Sequence, residues 1–457
     1  MFSEVWLKPK GIFFPHSAKA AFLLQTSPPA KAGGNWKEVT FASSFKTSMT
    51  ETTEKTPLYS WYALALLMVI YVLNFLDRTI IFILFPLIKK EMAFTDTQLA
   101  LLGTTSFVIF YTILGIPLGR FADRGSRTRI IAIGVIIWSL FSGLTGFAND
   151  FWTLFACRVM VGVGEAALGP AAISLLSDFF PPVRRATVTS IYSMGIAIGA
   201  GLAALLGGNL SQFGWRTAFM IVGFPGAVFG ILVFFLREPA RTLNAATDTY
   251  YSSTDWKKLL SNKAFILLCL GYAIFGLATN SLSIWGATFF SRLHKYDLPT
   301  IGFWAGVLTL SAGIPATLSA GAVADWFKKK GLGRMIFGAI LALVSAPLWI
   351  VLIFADNVFL ILPASFLLLA TGLGWVGAAA ADVTEIAGIN LRGLGIAIFF
   401  FTVNIAAYLI GSNLIGFLND RLGATENPAM MRYALLVCPI ACLISAICLW
   451  RGSKIVQ

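Results

Sequence analysis

The chain has 457 residues, of which 57% are hydrophobic and only 12% charged, and 34 Lys and Arg against 21 Asp and Glu give a net charge of +13. Soluble globular chains carry about 25% charged residues, so this composition, with a mean hydropathy of +0.80, excludes a cytosolic enzyme, a disordered protein and an ordinary nucleic-acid binder. A polytopic membrane protein remains.

Residues 1–57 mix Lys, Ser, Thr and Pro with apolar runs too short to span a bilayer, and read as a disordered cytoplasmic tail. Met49 is a second candidate start. From Leu58 onward, apolar segments of bilayer-crossing length alternate with short polar loops. They lie near 58–87, 97–119, 130–148, 151–177, 186–211 and 215–236, then near 264–290, 299–323, 333–354, 358–381, 393–418 and 430–450. The expected architecture is all-α, with twelve transmembrane helices in two six-helix bundles, 58–236 and 264–451. A cytoplasmic loop, 237–263, with a short surface helix joins them, and 452–457 form a cytoplasmic tail.

Basic residues orient this topology. Outside the tail, eighteen Lys and Arg fall in the loops of one face, among them Arg120, Arg124, Arg127 and Arg129, and seven on the other. Cytoplasmic loops collect Lys and Arg. The eighteen-residue face is therefore inside, both termini are cytoplasmic, and the expected location is the inner (plasma) membrane. The positive charge reports topology, not nucleic acid. Five cysteines lie in apolar runs without metal-ligand spacing, and His16 and His294 stand far apart, so no metal or disulfide framework is expected.

A repeat relates the halves. Gly119 to Asp123 ends the second segment and Gly321 to Asp325 ends the eighth, each Gly-x-x-x-Asp followed by basic residues. Paired six-helix halves with a site between them are a transporter architecture.

Four ionisable residues sit at membrane depth, where charge is costly and marks function. Asp77 and Arg78 belong to the first segment, Arg158 and Glu165 to the fourth. Seven residues are nearly two helical turns, so Arg158 and Glu165 share a face about 10 Å apart. The four charges cancel around one cavity. Glu165 and Asp77 are the candidate proton carriers, with Asp77 also a candidate partner of Arg158. Arg78 and Arg158 would meet an anionic head group. The competing reading is a pair of fixed salt bridges tying the first and fourth helices together. Asn280, Trp285 and Asn404 are the candidate contacts from the less charged second half. Asp123, Arg124, Arg127, Asp178 and Asp325 cluster at cytoplasmic helix ends and are the candidate gate, with an Arg127–Asp178 latch. Asp382 and Glu385 read as interface charges. Gly195 and Gly199 allow close helix approach in the fifth segment. Gly162-Val163-Gly164 lies inside a helix, so it is no dinucleotide loop. No Walker loop occurs, and no cofactor is expected.

Gly119-x-x-x-Asp123-Arg124-x-x-Arg127 resembles the signature loop of the major facilitator superfamily, with Ser126 where the family usually has Gly. The stretch from Arg158 to Gly164 resembles its fourth-helix motif. Leu73-Asn74-Phe75-Leu76-Asp77-Arg78, Val161 to Ala166 and Ser177-Asp178-Phe179-Phe180-Pro181 resemble the spinster-like branch, including bacterial members. That resemblance implies a facilitative or proton-coupled carrier of lipid-like amphiphiles, such as sphingoid phosphates or lysophospholipids, with no enzymatic activity. The expected partners are an amphipathic anion, protons and the bilayer, and the expected unit is a monomer. The alternatives are a symporter of a small organic acid and a lipid-modifying enzyme, for which no nucleophile or metal constellation is found.

Overall fold

The computed structural model describes residues 57–239, 253–388 and 391–456. Most of the expected tail and part of the inter-bundle loop lie outside them. Twelve helices are long and apolar enough to cross a membrane: α1 Leu58–Met92, α2 Asp96–Gly115, α3 Arg127–Thr145, α4 Phe151–Phe179, α5 Val183–Phe213, α6 Trp215–Phe234, α7 Lys263–Leu293, α8 Leu298–Lys329, α9 Arg334–Phe354, α10 Val358–Ala387, α11 Arg392–Arg421 and α12 Pro428–Val456. The helix of α2 runs on to Arg124. A short helix, Ser253–Leu260, precedes α7 and buries Leu259 while Trp256 is exposed.

Helices begin where side chains satisfy free backbone N–H groups. Thr95 and Gln98 form a reciprocal cap on α2. Asp150, Asn262, Asp297 and Asn357 cap α4, α7, α8 and α10.

Five spans expected as uninterrupted helices are not, α12 among them, which breaks at Leu436. α4 breaks after Glu165 and resumes at Leu168, because Pro170 lacks the N–H that would bond the Ala166 carbonyl. α10 breaks at Trp375, amid Gly372, Gly374 and Gly377, which weaken helix locally. α2 and α11 each contain a π-helical turn, Leu101–Thr105 and Ile405–Gly411.

Within the first half α1 packs on α5 and α3 on α6. In the second, α12 packs on α7 and α9. Gly199 lets the α1 backbone at Val72 approach α5, as its spacing from Gly195 anticipated. The halves meet along α5 and α8. A Cβ on Gly302 would lie 2.4 Å from the Ala204 carbonyl and one on Gly208 would lie 2.7 Å from the Leu298 carbonyl. Only glycine permits that approach.

Candidate functional site

The two ends of the molecule differ. The Lys89 end carries the turns between α1 and α2, α7 and α8, and α11 and α12. The Arg127 end carries the turn between α2 and α3. Among the described residues, the side-chain hydrogen bonds between halves lie in the half of the bundle nearer Lys89.

Three of the four membrane-depth charges are fully buried: Asp77, Arg158 and Glu165 are exposed by 2%, 0% and 1%. The two close glycines of α4 position Glu165. A Cβ on Gly164 would meet the Gly134 carbonyl of α3 at 2.7 Å, and one on Gly162 the Phe107 carbonyl of α2 at 2.8 Å. α4 can therefore lie against both backbones just before it breaks.

The pairing differs from the sequence expectation in one respect. Arg78 grips Glu165, with Nη2 and Nε donating to Oε2 at 2.7 and 3.2 Å. Asp77 does not ion-pair with Arg158: its carboxylate accepts from Ser142 Oγ of α3 at 2.7 Å. Arg158 reaches only the Asp77 main-chain carbonyl, at 3.5 Å. Adjacent residues on α1 point about 100° apart, so Asp77 turns to α3 while Arg78 turns to α4. Arg158 Nε and Nη2 and Glu165 Oε1 are left buried without a partner. Unmatched buried polar atoms of this kind are rare and mark functional sites. The Arg78 guanidinium lies over the rings of Phe75, Phe107 and Tyr111, at 4.9, 4.4 and 4.9 Å. These faces hold a cation with its flat sides covered, while Nη1 makes no hydrogen bond among the described residues.

A cavity of about 290 Å³ is lined mostly by apolar residues of α1, α5, α7, α8 and α10, with none of the four charged residues in its wall. Thr79, next to Arg78, forms part of its wall. Of the three second-half candidates, Asn280 lines it, with its amide donating to the Gly276 carbonyl. Trp285 does not: it is fully buried and packs on Phe85 of α1. Asn404 opens the π turn of α11 and lies outside that wall.

At the Arg127 end, Arg127 pairs with Asp178 and with Glu238, the latter at 2.7 Å. The expected Arg127–Asp178 pair forms, but it joins α3 to α4 inside one half and does not bridge the halves. Glu238 was not anticipated: it accepts from the Thr128 backbone N–H at 3.0 Å and caps α3. Burial pushes its carboxyl up, but the Thr128 amide and Arg127 outweigh that and hold it below the usual glutamate range. The side chains of Asp123 and Arg124 lie outside the described residues. Asp325 accepts from Arg334 at 2.8 Å, and Arg334 also meets Asp382 and Glu385. These charges all belong to the second half, so Asp382 and Glu385 are tied to α9 and not across the bundle interface.

At the Lys89 end the arrangement is reversed. Asp96, fully buried, accepts from Lys89 at 2.6 Å and twice from Arg292 of the second half, both at 2.6 Å. Asp420 of α11 accepts from the Asp96 and Thr97 backbone N–H groups at 2.9 and 2.8 Å, so an anion of one half caps a helix of the other. Sequence reasoning missed this latch: Lys89 and Arg292 are two of the seven Lys and Arg that entered it only as the count on the less basic face. The signal available was the Thr95–Gln98 capping pattern, which places Asp96 at a helix start.

Residues 67–407 match the Major Facilitator Superfamily. The chain is 28% identical over 402 residues to an MFS-type efflux pump of Mycolicibacterium smegmatis, covering 87% of this chain and 93% of that protein. It is 26% identical over 406 residues to Protein spinster homolog 1 of Xenopus tropicalis, covering 82% and 76%. It also resembles the crystal structure of a bacterial homolog to the human lysosomal transporter spinster, inward-facing and unoccupied, with a TM-score of 0.77, 24% identity and coverage of 87% and 97%.

Proposed function

The chain belongs to the Major Facilitator Superfamily and is a multi-pass membrane transporter, not an enzyme; we propose that it carries an amphipathic organic anion by alternating access, coupled to protons through Glu165. The observations that carry this reading are the Arg78–Glu165 pair, buried at membrane depth, and a largely apolar cavity lined by both halves, Thr79 of α1 among its residues. An anionic head group fits Arg78, and a hydrocarbon tail fits the cavity. The Arg127 end is taken as cytoplasmic, with the protein in the plasma membrane and both termini inside. The latch at Asp96 then closes the outer side.

Coupling arises from charge. With Glu165 ionised, Arg78 is already neutralised and a second anion gains little. A proton on Glu165 leaves a buried cation without its partner, which an anionic head group then supplies. By linkage, a proton that favours the anion is in turn held more tightly when the anion is bound. Affinity for an anion therefore rises as pH falls through the Glu165 titration.

Lysophosphatidylglycerol, singly negative across neutral pH, is a suitable probe for the purified protein in nanodiscs. Its affinity should rise on acidification for the wild type. Glu165→Gln should bind tightly at every pH with a flat profile. Parallel slopes in the two proteins would place the proton site elsewhere. Equal binding of a tail-less acid such as lactate would favour the small organic-acid reading instead.

A further inference from the structure

One side chain of the second half that sequence reasoning passed over lies within electrostatic reach of Arg78. Tyr408 lies in the π turn Ile405–Gly411 of α11. It is half-buried and packs against the apolar clusters of both halves. The cluster it meets in the first half contains Phe107 and has Tyr111 on its edge, two of the rings that hold Arg78. Tyr408 thus meets, from the opposite half, the apolar cluster that contributes rings around Arg78. The Tyr408 side chain also lies within electrostatic reach of both Arg78 and Tyr111. Among the described residues its hydroxyl makes no hydrogen bond, and neither does Arg78 Nη1. One donor from each half, within electrostatic reach of the other, is thus left without a hydrogen-bond partner among the described residues.

The surrounding backbone supports a functional role. π turns inside helices concentrate at functional sites. The α2 and α11 turns touch across the interface. Asn413 Nδ2 just beyond the α11 turn donates at 2.7 Å to Thr105 Oγ1, the last residue of the α2 turn. A π turn adds a residue to the helix and so rotates the residues beyond it. Asn404, one turn earlier, starts the bulge and does not share this position.

We propose that Tyr408 is a substrate-binding residue of the second half, donating its hydroxyl to the anionic head group that Arg78 holds from the first. This rests on the head-group reading of Arg78 given above. A head group held in this way ties α11 to α1 and α2, so binding itself reports on how close the halves are.

The test compares two probes with the same acyl chain, lysophosphatidylglycerol and uncharged monoacylglycerol, on the full chain in nanodiscs. The readout is the ratio of their affinities, which loss of packing alone would not change. Tyr408→Phe should lower the preference for the anion about tenfold, the scale of a hydrogen bond to a charged group, and leave monoacylglycerol binding unchanged. Tyr408→His, which keeps a ring-borne donor, should restore part of the preference and guards against a folding defect. An unchanged ratio in Tyr408→Phe, or an equal loss for both probes, overturns the proposal. The doubly neutral Arg78→Gln/Glu165→Gln variant tests the underlying reading separately. It should abolish the preference, and if it does not, the head group binds elsewhere whatever Tyr408 does.

Discussion

The two ends of the bundle use similar charges in opposite ways. At the Lys89 end, Asp96 and Asp420 are held by groups from the other half. At the Arg127 end, Arg127 serves Asp178 and Glu238 of its own half, and Arg334 serves Asp325, Asp382 and Glu385 of its own. A bond across the halves fixes their separation, whereas a bond within a half leaves it free. Among the described residues, side chains therefore tie the halves together at the first end, whereas the ion pairs at the second fall within each half. The repeat that relates the halves extends to this chemistry: each half keeps a basic residue early in its third helix and an acid at the end of its second.

The largest effect should come from breaking the locked end. Asp96→Asn leaves Lys89 and Arg292 facing each other beside the α2 N-terminus, itself a positive pole. Removing one partner of a buried ion pair costs about 3–5 kcal/mol. Thermal stability should fall accordingly. Spin labels on cysteines introduced at Lys90 and Glu426, both exposed, should lose their short-distance population. Retained distance and stability together would mean that glycine packing between α5 and α8 alone holds this end shut.

A middle-sized effect belongs to Glu238. Its carboxyl lies below the usual range in the folded protein. The stability it contributes is thus complete above the unfolded value of about 4.3 and is lost as pH falls through the lower folded value. Glu238→Gln should cost about 1–2 kcal/mol at neutral pH, for a half-exposed charge-assisted pair and a lost helix cap. The gap to wild type should narrow as pH falls below about 4. The label distance at Lys90 and Glu426 should not move. A constant gap at all pH values would mean that the carboxylate charge is not what stabilises this end.

How much of this the sequence revealed depended on the distance over which each feature acts. The twelve spans were readable because bilayer thickness imposes a local length and composition. The four buried charges were readable because each is costly wherever it lies in an apolar run. Their pairing was not, since it depends on rotations of about 100° between Asp77 and Arg78 relative to α3 and α4. The Asp96–Arg292 bond joins residues 196 positions apart, and Lys89 or Arg292 alone looks like any loop cation. Trp285 was placed on the cavity, and Tyr408 was not singled out, for a similar reason. A polar or aromatic residue in a membrane helix does not disclose which face it occupies, and a π turn shifts that face without any mark in composition.

The smallest effect tests the unlocked end. Lys328 pairs with Glu385, but both side chains are nearly half exposed, at 44% and 48%. Water screens such a pair, and an exposed ion pair is worth about 0–1 kcal/mol. Glu385 also accepts from Arg334 at 3.0 Å, so it keeps a cation when Lys328 is removed. Lys328→Ala should therefore leave thermal stability within about 0.5 kcal/mol and leave the label distance at the far end unchanged. The same labels moved to this end, on cysteines replacing Val183 and Lys329, both exposed, should give wild-type distances as well. If instead Lys328→Ala shortened or lengthened the Val183–Lys329 distance, a charge confined to one half would be setting the spacing between halves. The distinction drawn between the two ends would then fail at the end where the bonds are weakest, and the separation of the halves would have to be assigned to long-range repulsion between their basic loops. Raising the salt concentration would check that account, since screened repulsion should then restore the wild-type distance.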